Sequence, residues 1–423
     1  MSHPSSLATV PRHRWTCAAV LFTGSVLLAG CGSAGSGAAT TTAGTSSAAA
    51  SSGASTSSGT ASAAADGSTA MTITITDADG CTASADSVPA GPVDFTVVNQ
   101  DALGVTEVEL VSDQRIVGER ENLAPGFDST FSARLDGGSY EIYCPGASTE
   151  RRPFTVTGQA TEQTGDVAAL LTQATKDYAT YVDDQISFLL PPVQEMAAAI
   201  KAGDLAGAQQ AYAKARPFYE RIEPVAESFP DLDPAIDLRI GDVEQGTEWT
   251  GFHPIEQGLF SRQSTDGLAD LADGLVTNVG TLQTQAKQLS DATNAGTAGG
   301  YQAFEIANGA SGLLDEVLAS KITGEEEAYS KLDLLDFEAN VEGSLQAFAT
   351  LKPALDQIDP TAVPDISARF DALVTLLNTY KDPSALGGWK PFDQLTDSDK
   401  KQLTDALLAV QEPLSSVAAK ITN

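Results

Sequence analysis

The residues best placed to do chemistry sit in Thr250-Gly-Phe-His253-Pro-Ile-Glu256-Gln-Gly-Leu-Phe260. Proline suits the first turn of a helix, so a helix should begin near His253. Side chains three apart share a helix face, which lets the His253 imidazole and the Glu256 carboxylate converge on one ion. Nitrogen with carboxylate oxygen suits iron, zinc or manganese, and a shortage of other nitrogen and sulfur donors favours a harder ion. The plainer reading is that Glu256 sits at the third helical position and caps the helix start. Further carboxylates could complete a centre: Glu220 and Glu223 in Tyr219-Glu-Arg-Ile-Glu-Pro224, Asp237 and Asp242 ahead of the motif, and Glu316 in Gly312-Leu-Leu-Asp-Glu-Val-Leu318. Acidic residues on exposed helix faces are the default and mean little singly. Glu316 stands out because its neighbours are largely apolar, and a carboxylate in such surroundings needs a cation or a strong donor.

The rest of the inventory limits the alternatives. The chain has 423 residues, 24 basic and 56 acidic, for a net charge of −32. That surface repels nucleic acid and anionic lipid headgroups and attracts cations, and it also keeps a secreted protein soluble. Residues 1–30 read as a lipoprotein signal peptide. Arg12 and Arg14 precede a mostly apolar run from Cys17 to Leu28, too short for a permanent span. Leu28-Ala29-Gly30-Cys31 resembles a bacterial lipobox, where cleavage falls before the cysteine and Cys31 is then lipidated. His3 and His13 would leave with that leader, so His253 would be the one imidazole of the mature chain. Cys81 and Cys144 would be its remaining thiols; outside the cytoplasm they would form a disulfide or serve as soft-metal ligands. A blue-copper centre needs two imidazoles and is excluded. No His-Glu-x-x-His, Gly-x-Ser-x-Gly or phosphate-cradling glycine loop occurs, so nothing compels catalysis.

These residues need elements to hold them. Residues 31–69 are nearly all Gly, Ala, Ser and Thr and read as a disordered tether. Over 70–158 the apolar period is two, in Met71-Thr-Ile-Thr-Ile-Thr, Val93-Asp-Phe-Thr-Val-Val and Pro153-Phe-Thr-Val-Thr, with Gly and Pro turns between. Short strands at that spacing predict a small β-sandwich. Over 165–423 the period becomes helical, as in Leu170, Ala174, Tyr178, Tyr181, Ile186 and Leu189, with breaks at Asp231-Leu-Asp-Pro234 and Asp359-Pro360. The expected fold is therefore multidomain, an all-β sandwich followed by an all-α helical bundle.

Several longer stretches carry a resemblance. Glu119-Arg-Glu-Asn-Leu-Ala-Pro-Gly-Phe127, Tyr219-Glu-Arg-Ile-Glu-Pro-Val-Ala-Glu227, Gly251-Phe-His-Pro-Ile-Glu256 and Ala319-Ser-Lys-Ile-Thr-Gly-Glu-Glu326 are similar to the EfeO family of extracytoplasmic iron-uptake components. So is Leu334-Leu-Asp-Phe-Glu-Ala-Asn-Val-Glu-Gly-Ser344, and the likeness covers about residues 71–423. The resemblance implies a cupredoxin-like domain followed by an imelysin-like domain. It implies iron held by His253 and Glu256, with Asp237 and Glu316 as further ligands and Glu220 and Glu223 beside them. It implies a copper or iron site at Cys81, Glu107 and Cys144, and as partners an inner-membrane iron permease and a haem peroxidase. Many members are soluble periplasmic proteins, whereas the lipobox here implies anchoring to the outer face of the cell membrane. An imelysin-type metallopeptidase and a structural adhesion lipoprotein are the competing expectations.

Overall fold

The computed structural model of the chain describes residues 62–63, 67–112, 115–243, 246–297 and 299–423. The expected signal peptide, Cys31 and most of the expected tether lie outside the described residues. The last part of the expected tether belongs to a sheet. Strand β1 (Ser62–Ala63) pairs with β2 (Thr69–Thr76), and buried Ser68 donates to Asp94 at 2.5 Å. Composition hid this because a two-residue strand and one buried hydroxyl leave no apolar pattern.

Alternation dictates the next strands. These are β3 (Gly80–Ala83), β4 (Ser87–Pro89), β5 (Gly91–Asn99), β6 (Val108–Ser112), β7 (Arg115–Arg120), β8 (Phe127–Leu135), β9 (Gly138–Tyr143) and β10 (Arg151–Thr157). They form two five-stranded sheets, one ordered β1-β2-β5-β8 with β3 on β2, the other β4-β10-β9-β6-β7. Strand β5 shows why they stack: Val93, Phe95 and Val97 turn inward and are fully buried. Phe95 stacks on Phe131 of its own sheet at 4.6 Å between centroids, and meets Phe154 of the facing sheet edge-on at 6.2 Å. Cys81 and Cys144 are joined by a disulfide that ties β3 to the end of β9. The arrangement is consistent with a cupredoxin-like sandwich.

The helical part begins with α1 (Asp166–Ala202) and α2 (Leu205–Glu220), then α3 (Asp233–Asp237), α4 (Phe252–Glu256) and α5 (Ala269–Ala295). It closes with α6 (Ala303–Ala319), α7 (Asp333–Ile358), α8 (Ala362–Leu377), α9 (Asp397–Leu414) and α10 (Val417–Thr422). Tyr178, Val182, Ile186 and Leu189 of α1 recur on one face and are fully buried.

The sandwich and the helices are one compact unit. Phe304 of α6 is buried in the sandwich core, and Asn308 of the same helix donates to the Ser132 carbonyl at 2.8 Å. Arg115 and Arg120 of β7 pair with Glu305 at 3.3 Å and Asp315 at 2.6 Å. Among the described residues, no helix is long and apolar enough to cross a membrane.

Candidate metal centre

A glycine sets the geometry around His253. Gly251 has φ 90° and caps the start of α4, and a Cβ placed on it would lie 2.1 Å from the Ile236 carbonyl oxygen. Only glycine allows both the left-handed backbone and the close approach. The contact seats the first turn of α4 against the end of α3, so His253 Nε2 lies 3.3 Å from Asp237 Oδ1. Pro254 occupies the first turn as its sequence position predicts. The helix then widens into a π-type turn over Gln257–Ser261, a geometry frequent at functional sites.

Glu256 does not cap its own helix. Its Oε1 accepts from the backbone N–H groups of Tyr329 at 2.8 Å and Ser330 at 2.7 Å. It thereby fixes the Gly324–Lys331 loop, and that loop presents Glu326 3.6 Å from His253 Nε2. The second oxygen of Glu256 lies 3.6 Å from His253 Nδ1. His253 is 2% exposed and Glu256 0%, yet Nε2 of the one and Oε2 of the other have no hydrogen bond of good geometry. Buried polar atoms are rarely left so. Ligand atoms of Asp237, His253 and Glu326 lie within 4.8 Å of one another, close enough to surround one ion.

Fixed cations stand behind this group. Arg216 of α2 is fully buried and pairs with Glu220, Asp237, Glu326, Glu327 and Asp336, at 3.1 Å to Glu326 and 3.0 Å to Asp336. Lys321, in the turn after α6, is also buried and donates to Glu220 and Glu223 at 2.9 Å each. Burial alone would raise the pKa of every carboxylate here. For Asp237 that push is outweighed by Arg216 and His253, and for Glu326 by Lys321 and His253, so both are held below the usual range. Burial disfavours the charged imidazole, but the facing carboxylates of Asp237, Glu256 and Glu326 hold His253 well above its usual value. Glu223, Glu327 and Asp336 are pushed up, burial being the largest cause for each.

The structure brings together His253, Glu256 and Asp237 and sets Glu220 and Glu223 in an adjoining group around Lys321. Glu316 stands apart from the imidazole: it meets Arg239 at 3.1 Å and Lys321 at 4.0 Å, so its cation is a side chain. The bonded Cys81 and Cys144 offer no thiolate, so the copper or iron site implied with Glu107 would first require their reduction. The sequence assigned no role to Glu326, Lys321 and Asp336, which lie in the stretches that carry the resemblance, nor to Glu327 and Arg216. The run Gly324-Glu-Glu-Glu327 is the signal in the sequence, and it gains meaning only once Glu256 holds that loop against the imidazole.

A cavity of about 1270 Å³ lies between the sandwich and the helices and reaches this centre, since Asp237 and Glu326 line it. Its sandwich wall carries Glu107, Glu109, Glu119 and Glu121, and Glu227 and Asp233 face them from the helical side. Burial, then Glu107, raises Glu109 to about 7. Burial, then Glu316, raises Glu121 to about 8.

A helical unit with a buried imidazole–carboxylate group, docked on a β-sandwich, narrows the class of protein considerably. A model of the imelysin family matches residues 174–417, and the chain belongs to that family. Over 352 residues it is 36% identical to the iron uptake system component EfeO of Escherichia coli O157:H7, spanning 82% of this chain and 90% of that protein. The proteins of the same name from Escherichia coli strain K12 and Shigella flexneri match to the same extent, 36% over 82% and 90% of the respective chains. These relatives are named as transport components, not as enzymes. A crystal structure of an iron-regulated protein A precursor from Parabacteroides distasonis covers 62% of this chain and 96% of that one, with a TM-score of 0.47 and 16% identity.

Proposed function

We propose that the chain is an extracytoplasmic component of an iron uptake system that captures iron at His253, Asp237 and Glu326, with Glu256 orienting the imidazole from its Nδ1 side, and passes it to a membrane permease. The names of its relatives support the iron, and the lipobox at Cys31 supports a tether to the outer face of the membrane. The observation that carries the site is the pair of buried atoms without good hydrogen bonds, His253 Nε2 and Glu256 Oε2, among charged carboxylates. One nitrogen with several carboxylate oxygens is a donor set for a hard or borderline cation such as iron. The ion would displace the proton from His253, so capture weakens as pH falls.

The acidic cavity supplies the route. Its negative field concentrates cations, and Asp237 and Glu326 belong both to its lining and to the centre behind it. His253 is the single imidazole among the described residues, which leaves a zinc-peptidase mechanism short of its usual ligands. Calorimetric titration of the purified chain with ferrous sulfate under anaerobic conditions should show about one ion bound, with affinity reduced at least about tenfold in His253→Ala/Glu256→Gln. Unchanged affinity in a folded double variant would remove the assigned site.

A further inference from the structure

The group next to the His253 centre already contains cations supplied by the chain: Arg216 pairs with Glu220, Asp237 and Glu326, and Lys321 with Glu220 and Glu223. Single oxygens of Glu220, Glu223, Asp237 and Glu326 lie within 4.8 Å of one another, the spacing of ligands around one ion. The Lys321 ammonium sits among them, 2.9 Å from Glu220 and Glu223 and 3.8 Å from Glu326. It is 3% exposed as a residue, so no solvent shares its charge. A neutral oxygen waits at the same place. Asn340 is fully buried and donates its amide to Glu220 at 2.8 Å and to Glu223, while its Oδ1 has no partner. Turning that amide over would set Oδ1, a metal ligand, against the same two carboxylates, an arrangement that needs a cation between them.

We propose that Lys321 is a tethered counter-ion filling a second metal position, which limits the chain to one captured ion. Glu326 faces both positions, 3.6 Å from His253 Nε2 and 3.8 Å from the ammonium, so two mobile ions would share a ligand. A multivalent cation bound by four carboxylates and an amide oxygen would be held far more tightly than one a carrier must release. A permanent ammonium keeps those carboxylates organised and prevents that trap. Lys321 is a positioning residue here, touching the ligands and not the ion. The inference rests on the reading that the His253 centre binds iron.

The test compares the full chain with Lys321→Met, which keeps the shape and removes the charge, and Lys321→Arg, which keeps the charge. Ferrous iron bound per chain would be measured by calorimetry and by metal analysis after desalting. Wild type and Lys321→Arg should bind one ion and Lys321→Met two, the second lost again in Lys321→Met/Glu223→Gln. A Lys321→Met chain that melts early without metal but is restored by a second equivalent of iron supports the same conclusion. One ion in Lys321→Met, with melting indifferent to the second equivalent, overturns it. No ion in wild type would instead count against the iron-binding reading itself.

Discussion

Two regions of the molecule bury carboxylates, and they neutralise them differently. Around His253, Arg216 and Lys321 lie within ion-pair distance, and Asp237 and Glu326 remain charged below their usual range. On the sandwich wall of the cavity, Glu109, Glu119 and Glu121 have few fixed cations, and their pKa values rise. For Asp237 and Glu326 built-in cations outweigh burial, whereas on the cavity wall burial and like charges prevail, as they also do for Glu223, Glu327 and Asp336 of the network. Fixed cations hold ligands in a set geometry at the cost of a buried ionic network, whereas protons leave the wall able to trade hydrogen ions for metal ions. The contrast assigns a preorganised capture centre to the helices and an adjustable, cation-attracting approach to the cavity.

Removing the built-in charge should break the first region most severely. Arg216→Met removes the one guanidinium shared by Glu220, Asp237, Glu326, Glu327 and Asp336, and should destabilise the chain by about 3–5 kcal/mol. Urea denaturation would show it, and added iron should recover part of the loss by replacing the missing charge. On the sandwich side, Cys81→Ser/Cys144→Ser opens a bridge between residues 63 apart and should cost about 2–5 kcal/mol. If the two cysteines are structural, that variant keeps its iron stoichiometry; a lost equivalent would show a metal role for the thiols.

Gly251→Ala should have a smaller effect, about 1–3 kcal/mol from the strained backbone, because the Ile236 carbonyl must move to admit a Cβ. Its signature is weaker iron binding without loss of fold, since the move separates His253 from Asp237. The smallest effect expected is a pH slope. A carboxyl whose pKa is raised by folding favours the folded state while it is protonated. The contribution of Glu121 is therefore complete below its ordinary value of 4.5 and is lost as pH rises through about 8. The melting temperature of the metal-free chain should fall over that interval, and Glu121→Gln should flatten the fall. A cation in the cavity should reverse it and release protons on binding, measurable as a buffer-dependent enthalpy.

Much of the fold was legible because each region has one apolar period. Val93, Phe95 and Val97 alternate, Tyr178, Val182, Ile186 and Leu189 follow a helix, and the structure buries each set. The docking of sandwich on helices was not legible, because it depends on single residues such as Phe304 and on Arg115 and Arg120 finding acids nearly two hundred positions away. The site was legible in part. His253 and Glu256 are three apart, so local geometry sufficed to pair them. Glu326 reaches them only through a loop held by Glu256, and Arg216 is an ordinary helical arginine until its burial is known. Sequence separation conceals what a buried network joins.

The central claim is that one ion sits between His253 and the acids that Arg216 and Lys321 hold in place. Anomalous diffraction at the iron edge, from crystals of the chain grown with one equivalent of iron, tests it most directly. The account predicts a single strong peak within bonding distance of His253 Nε2 and flanked by Asp237 and Glu326, with Glu256 on the Nδ1 side of the ring. A peak confined to the sandwich wall near Glu119 and Glu121, with none beside the imidazole, would contradict it.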